Sequence, residues 1–168
     1  MYQKTPMAPK VVRVCDGVAV GEVGNVCVVV WRGPVTRARF DAQRDGLSEV
    51  MHGHAEGVGF MCVIEPTAKP PNDELRRASA EMIRSHQPEL RCIACVVEGS
   101  GFVNAVSRSA LSGIALLLGT RKVPFSVFGT IAAATTWMVP HIDMRDAAAL
   151  ARHVESIRAE LAPWAPPG

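Results

Sequence analysis

Short apolar segments alternate with amphipathic ones along most of the chain. Five apolar segments have strand length and a β-branched composition: 17–24, 25–33, 57–66, 91–99 and 122–130. The first two meet at Gly24-Asn25, which is typical of a hairpin turn. The run 57–66 is apolar without interruption and ends at a proline, so it indicates a strand buried on both faces.

Segments with helical periodicity lie between and after the later strands, at 35–54, 73–86, 100–120 and 131–139. The first of these segments is expected to be a helix weakened at Gly46. Four of its residues share one helical face: Phe40, Leu47, Met51 and His54. Asn72 is a candidate N-cap of the second. This alternation predicts an α/β domain over residues 11–140, with a mixed, mostly parallel sheet of about five strands covered by helices.

The segment 141–163 predicts a separate amphipathic helix that begins near Asp143 and Asp146. Its apolar stripe contains Leu150, Val154, Ile157 and Leu161. Two arrangements are open: the stripe docks on its own domain, or it forms the interface of a homodimer. Residues 1–10 are expected to be a flexible N-terminus and 164–168 a frayed tail.

Composition and charge narrow the classes of partner. The formal net charge is +2 and the 18 basic residues are scattered, so neither nucleic-acid binding nor an anionic membrane surface is favoured. No apolar run reaches ~18 residues, so no membrane span is expected. The first ten residues lack the core of a signal peptide, and the five cysteines are an odd number in valine-rich runs. We therefore expect a cytoplasmic protein with reduced thiols.

The segment Glu98-Gly99-Ser100-Gly101 is the main candidate site. It follows a predicted strand and opens a helix, as a G-x-G-x-x-G phosphate turn does. Asn104 stands where the third glycine would be, and neither a ribose-binding acid nor a phosphate-binding lysine follows, so no cofactor is expected. Ser100 is either a helix cap or a phosphorylation switch, since a phosphate there would meet free backbone N–H groups.

Other chemical motifs are weak. Cys92 and Cys95 match C-x-x-C, but within a strand they would point to opposite faces. His52 and His54 have no second ligand cluster nearby, so no metal is expected. No nucleophile has a visible base, and the sequence predicts a non-enzyme, with an unrecognised catalytic site as the least favoured alternative.

The predicted helix 101–118 is apolar nearly all round. Such a helix is either covered by another element or forms an interface. Its small residues Ala105, Ser109, Ser112 and Gly113 would allow close approach, and the C-terminal stripe is one candidate cover. An overly apolar helix also favours a second function, the binding of a small apolar ligand or lipid.

Residues 11–140 resemble the STAS domains of bacterial anti-sigma-factor antagonists, and the related group that shares this fold with CRAL-TRIO lipid-transfer domains. The resemblance rests on element order and on three stretches: VVVWRGPVT (28–36), VVEGSGFVNAVSRSALSGIALLL (96–118) and FSVFGTIAAATTWM (125–138). It implies a STAS-like fold and a non-catalytic regulatory or adaptor protein whose partner is another protein. By position, Ser100 with Gly101 lies near the serine that such antagonists present to a kinase, although Glu98-Gly99 replaces the usual Asp-Ser or Ser-Ser pair.

Overall fold

The computed structural model describes residues 8–99, 105, 108–109, 111–113 and 123–166. Within them, six strands form one sheet in chain order: β1 (Lys10–Cys15), β2 (Val18–Val23), β3 (Val26–Trp31), β4 (Val58–Ile64), β5 (Leu90–Val97) and β6 (Phe125–Phe128). The pairs β1–β2 and β2–β3 are antiparallel. The pairs β3–β4, β4–β5 and β5–β6 are parallel, so the predicted α/β class with a mixed, mostly parallel sheet is confirmed.

Four helices have defined bounds: α1 (Arg37–His52), α2 (Asp73–Ser85), α3 (Ile131–Met138) and α4 (Ala147–Arg158). Each begins at a polar side chain that accepts a hydrogen bond from a free backbone N–H of the first turn: Thr36, Asn72, Thr130 and Asp146. The predicted cap Asn72 is confirmed. Asp143 does not cap α4; it pairs with Arg91 at 2.8 Å.

The helices cover the two faces of the sheet in pairs. The first face carries α1 and α2, and its core contains Phe40, Leu47 and Ile83. The second face carries α3 and α4, with a core around Met138 and Leu150. Strand side chains alternate between these cores, which is why valine-rich strands buried on both sides suit this position. Residues 105, 108–109 and 111–113 are helical, and Leu111 packs in the first-face core.

The sheet has six strands where about five were predicted, because β1 occupies residues to which the sequence assigned no strand; it overlaps the predicted flexible N-terminus only at Lys10. This strand is at the edge of the sheet, and its register shifts between Val11 and Arg13. Val11 and Val14 remain 40% and 47% exposed. An edge strand with one bulge buries no clean stripe, so its segment KVVRVC lacks the alternation by which strands are recognised in a sequence.

Two glycines are needed by the first elements of the fold, one in a turn and one where a helix packs on a strand. Gly24 has φ +58° in the turn between β2 and β3, which confirms the predicted hairpin. Gly46 was expected only to weaken the first helix, but it also has a packing role. A Cβ at Gly46 would lie 2.7 Å from Val20 Cγ1, so the glycine allows α1 to pack closely on β2.

The C-terminal stripe docks on its own chain. Leu150, Val154 and Ile157 are fully buried and Leu161 is 7% exposed, all within the second-face core. The alternative that these residues form a homodimer interface is therefore wrong, because the chain's own sheet already covers them. The stripe cannot cover the helical segment around Leu111 either, since that residue packs on the opposite face.

Among the described residues, no helix is both long enough and apolar enough to cross a membrane.

Candidate functional site

A cavity of about 90 Å³ lies on the first face, between the sheet and the helices α1 and α2. Alternate residues of four parallel-paired strands form its floor: Trp31, Phe60, Cys62, Ile64, Ile93, Cys95 and Phe125. Spacing by two puts every one of these side chains on the same side of the sheet. The floor of the cavity therefore consists of the side chains that the strands direct towards the first face.

The two helices, two connecting loops and the helical segment around Leu111 form the remaining described walls. Helix α1 contributes Phe40 and Gln43, and α2 contributes Ser79, Met82 and Ile83. Spacings of three and four residues place these side chains on the helix surfaces that face the sheet. The rest of the described lining comes from loops and from the helical segment before β6: Val35, Ala68, Lys69, Pro70, Pro71 and Leu111.

Gln43 is the buried polar side chain of this cavity. It is only 5% exposed, and its Oε1 accepts a 2.9 Å hydrogen bond from Trp31 Nε1. Its Nε2 lies 3.9 Å from the thioether sulfur of Met82, a weak acceptor. The amide thus has a strong contact on its oxygen and a weak one on its nitrogen.

Two thiols lie side by side in the floor. Cys62 and Cys95 are register partners on β4 and β5, and both are buried. The hydrogen bond with Cys62, together with burial, raises the pKa of Cys95 well above that of an ordinary thiol. At neutral pH Cys95 is therefore a neutral thiol, which suits an apolar wall better than a nucleophile.

The loop 65–72 lies at one border of the cavity and is held to the loop after β3. Pro34 and Lys69 form an isolated parallel bridge between the two loops. Lys69 is exposed to solvent, whereas Ala68 beside it is 2% exposed. The wall that separates the cavity from solvent here is thus a short, pinned loop with three prolines.

A second polar arrangement lies at the carboxyl ends of the parallel strands, outside the cavity lining. Arg32, Glu65 and Glu98 directly follow β3, β4 and β5, and Arg158 reaches them from α4. Glu65 accepts two hydrogen bonds from Arg32, at 2.6 and 2.8 Å, and one from Arg158 at 3.1 Å. Glu98 pairs with Arg158 through both oxygens, at 2.6 and 2.9 Å. The hydrogen bonds to the two glutamates raise the pKa of both arginines.

This charged cluster, Arg32, Glu65, Glu98 and Arg158, has its charges paired within the chain. Ligands of open α/β sheets often bind at the carboxyl ends of strands. Here, however, Arg32 Nη1 is bonded to the backbone oxygens of Leu161 and Ala162, at 3.0 and 2.8 Å. With these donors engaged and both glutamates paired, the cluster holds the end of α4 against the sheet.

The tail after α4 is more ordered than the predicted fraying of 164–168 implies, as far as residue 166. Trp164 lies over the guanidinium of Arg39, with the Arg39 Cζ 5.6 Å from a ring centroid. A Cβ at Gly33 would be 2.7 Å from the same indole. The tail therefore crosses the strand ends and contacts the loop that leads into α1.

The predicted regulatory segment is described only in part. Glu98 belongs to the charged cluster, and Gly99 has φ +97°, a conformation that favours glycine. Ser100 and Gly101 lie outside the described residues, so the choice between a cap and a phosphorylation switch stays a prediction. What the structure adds is that Glu98 has a partner, Arg158, which the sequence did not indicate.

The remaining sequence candidates are separated from one another. Cys92 packs in the second-face core and Cys95 in the first, as strand alternation predicts. Burial raises the pKa of Cys92 to about 12. His52 Nδ1 lies 2.6 Å from the Ser48 carbonyl oxygen, and His54 Nε2 lies 2.9 Å from Glu22 Oε1. Within the part of the chain that the structure describes, no group of three potential metal ligands occurs.

The small residues of the predicted helix 101–118 do not receive a close neighbour. Ala105, Ser109 and Ser112 are exposed, and a Cβ added to Gly113 would have no atom within 4 Å. Within the part of the chain that the structure describes, no element approaches them closely, and a close approach by a second chain stays a prediction.

Compared with models of known protein families, the chain matches none, and a search of curated proteins also returns no match.

Sequence reasoning missed the cavity and its buried amide. A signal for Gln43 was present, because this residue lies three positions after Phe40 and four before Leu47, both on the predicted buried face of α1. A glutamine at a core position must find hydrogen-bond partners. No comparable signal marks the empty volume, since it depends on how α2 is placed over the strands.

Proposed function

We propose that this protein binds a small apolar ligand in the cavity on the first face. The observation that best supports this proposal is a cavity of about 90 Å³ whose described lining is almost entirely aliphatic, aromatic or sulfur-containing. Cavities of this composition with a few convergent polar groups are typical of small-molecule sites. An engineered apolar cavity of about 150 Å³ accommodates benzene. The buried part of the ligand is therefore a compact group no larger than a small ring.

The cost of an empty cavity supports the same proposal. Side chains that border an unfilled space of about 90 Å³ lack the dispersion contacts that a guest there would supply. Isoleucine, leucine or phenylalanine in place of the small side chains around it would fill such a space. Ser79 and Cys62 instead keep it open. A ligand that fills the cavity supplies these contacts and stabilises the fold in proportion to its concentration.

We assign the cavity a binding role and not a catalytic one. Its described lining contains no histidine, aspartate or glutamate that could act as a base. The Cys95 thiol is held in its protonated form. What the lining supplies is a shaped apolar surface, with an amide, a hydroxyl and two thiols to orient a guest.

The proposal is tested by comparing two serine variants. Ser79 and Ser156 each donate a hydrogen bond to the carbonyl oxygen four residues earlier in a helix. Only Ser79 lines the cavity. Ser79→Leu extends a side chain into the space, and Ser156→Leu makes the same change on α4, on the other side of the sheet.

Calorimetric titration with cyclopentanone and methylenecyclopentane, two compounds with a five-carbon ring, should show binding to the wild type and to Ser156→Leu. Binding to Ser79→Leu should be lost while its circular dichroism stays unchanged. Native mass spectrometry of gently purified protein should also show bound apolar mass. A wild type that binds neither compound, or a Ser79→Leu variant that binds like the wild type, contradicts the proposal.

A second proposal is the regulatory adaptor role, favoured by the exposed edge strand β1. Its outer edge has no neighbouring strand among the described residues. Val11 and Val14 are the large hydrophobic side chains that stay exposed there. An edge with free backbone groups and exposed valines suits the addition of a strand from another protein.

The adaptor proposal is tested with Val11→Glu/Val14→Glu, which keeps the backbone edge but charges its surface. A protein retained stoichiometrically by the wild type should be released by this double variant. Retention by both proteins alike would argue against β1 as the contact.

The predicted switch is tested on the same partner, where Ser100→Asp should weaken binding and Ser100→Ala should not.

A further inference from the structure

We infer that the ligand of the first-face cavity is a neutral carbonyl compound whose oxygen accepts a hydrogen bond from Gln43 Nε2. The inference rests on the proposed ligand-binding function and adds the chemical class of the guest. The described lining contains a single buried amide, Gln43, and its free hydrogen-bonding capacity determines which group of a guest it can bind.

The orientation of the Gln43 amide is determined by Trp31. An indole N–H is only a donor, so the Gln43 atom 2.9 Å from Trp31 Nε1 must be the oxygen. The nitrogen therefore points the other way, to the side on which Met82 lies at 3.9 Å. Trp31, Gln43 and Met82 all line the cavity, so the donor group is part of the cavity wall.

The amide nitrogen has more donor capacity than its protein contacts use. An amide NH₂ group carries two donors, and a thioether at 3.9 Å is a weak acceptor for one of them. No other acceptor for Nε2 occurs among the described residues. Gln43 is 5% exposed, so bulk water does not reach it except through the cavity. A buried donor in this state is costly, and an acceptor inside the cavity removes that cost.

Charge and hydrogen-bond balance select a carbonyl oxygen. A carboxylate would need a positive charge beside it, and the charged residue of the described lining, Lys69, is exposed on the loop at the border. A hydroxyl group would bring a donor of its own, which would have to turn to the Ser79 hydroxyl, already bonded to the Leu75 carbonyl oxygen, or to weakly accepting sulfur atoms. A ketone, aldehyde or ester oxygen only accepts, so it satisfies Gln43 and adds no new donor.

The test compares two molecules of the same shape. Cyclopentanone and methylenecyclopentane differ by an oxygen in place of a methylene carbon. We expect the wild type to bind the ketone about ten-fold more tightly, after each affinity is corrected for the compound's transfer free energy from water to cyclohexane. Titration calorimetry of the wild-type protein gives this ratio without any variant.

Two variants assign the effect to Gln43. In Gln43→Met the corrected preference for the ketone should fall to about one-fold, because the donor is gone. Trp31→Phe/Gln43→Met removes the indole N–H that this change leaves without a partner, and it should give the same result. Gln87→Met makes the same change at a residue outside the described lining; it is the matched control and should keep the preference for the ketone.

The outcomes separate the inference from the function on which it rests. If neither compound binds the wild type, the ligand-binding proposal fails and this inference with it. If both bind with equal corrected affinity, the cavity binds apolar guests but the carbonyl inference is wrong. If Gln43→Met still prefers the ketone, Gln43 is not the donor.

Discussion

The two faces of the sheet are built from the same strands but packed to different degrees. On the second face, a Cβ at Gly21 would lie 2.3 Å from Ile157 Cδ1, and one at Gly59 would lie 2.7 Å from Ile142 Cγ2. There is no room for a methyl group at either position. On the first face, the same sheet borders a cavity of about 90 Å³.

The difference in packing between the two faces follows from the side chains at each contact between a helix and the sheet. Helix α4 lies close on β2 because Gly21 on that strand leaves room for the side chain of Ile157. Helix α2 presents Met82 and Ser79, one flexible and one small, over strands that present aromatic rings and thiols. The tight face contributes stability, and the proposed ligand site lies on the loose face.

The largest expected difference between the faces comes from truncating matched isoleucines. Ile157 on α4 is fully buried, and Ile83 on α2 is 5% exposed and lines the cavity. Ile157→Ala should lower the free energy of unfolding by about 4 kcal/mol, and Ile83→Ala by about 2 kcal/mol, since Ile83 already borders empty space. Urea denaturation of both variants measures this. Equal losses would mean that the faces are packed alike.

The charged cluster joins the second-face helix α4 to the strand ends, and its removal should cost somewhat less. Glu65→Gln leaves two arginines, Arg32 and Arg158, without their shared carboxylate. Because both arginines keep some contact with solvent, we expect a loss of about 2 to 3 kcal/mol. Glu155→Gln is the control: Glu155 is 57% exposed, and its loss should cost less than about 1 kcal/mol. Equal unfolding midpoints for the two variants would argue against a role of the cluster in stability.

A pair of glycine substitutions tests local packing with a smaller effect. Gly21→Ala places its methyl against Ile157 and should destabilise the protein by about 1 to 2 kcal/mol. Gly113 is helical and has no atom within 4 Å of an added Cβ. Gly113→Ala should therefore stabilise the protein by about 0.5 to 1 kcal/mol. Thermal unfolding should move in opposite directions for the two; a shift in the same direction would contradict the contrast.

The smallest effect is expected in the rates at which the cysteines of the two faces are labelled, a comparison that needs no substitution. Burial raises the pKa of Cys15, Cys27 and Cys92, and the Cys62 contact raises that of Cys95. Labelling with methyl methanethiosulfonate and peptide mapping should find Cys15 first, since it is only partly buried. Cys62 and Cys95 should follow through the cavity, and Cys27 and Cys92 should react last. Labelling of Cys92 before Cys95 would place the open space on the wrong face.

Much of the fold could be predicted because its signals are local. The hairpin at Gly24-Asn25, the cap Asn72 and the stripe from Leu150 to Leu161 depend on neighbouring residues in the chain, and all are confirmed as elements. The strand β1 was missed because an edge strand with a bulge has no alternation to show. Asp143 was misassigned as part of a cap because its actual partner, Arg91, is 52 residues away.

The candidate site was less predictable, for a different reason. Gln43 and Trp31 can each be seen as unusual core residues, but their hydrogen bond requires α1 to lie across β3 at one particular height. The pairing of Glu98 with Arg158 joins residues 60 positions apart. Residues that meet only after folding leave no periodic mark on the sequence.

The sequence by itself determined the segments that form β2 to β6 and the four described helices, and which side of each helix is apolar, because hydrophobic periodicity acts over a few residues. Only the tertiary structure decided which face of the sheet each helix covers. It placed the C-terminal helix on the second face, so that Leu150, Val154 and Ile157 are core residues and not a dimer contact. It also left a cavity beneath α2, because the space between packed elements depends on distances between residues far apart in the chain.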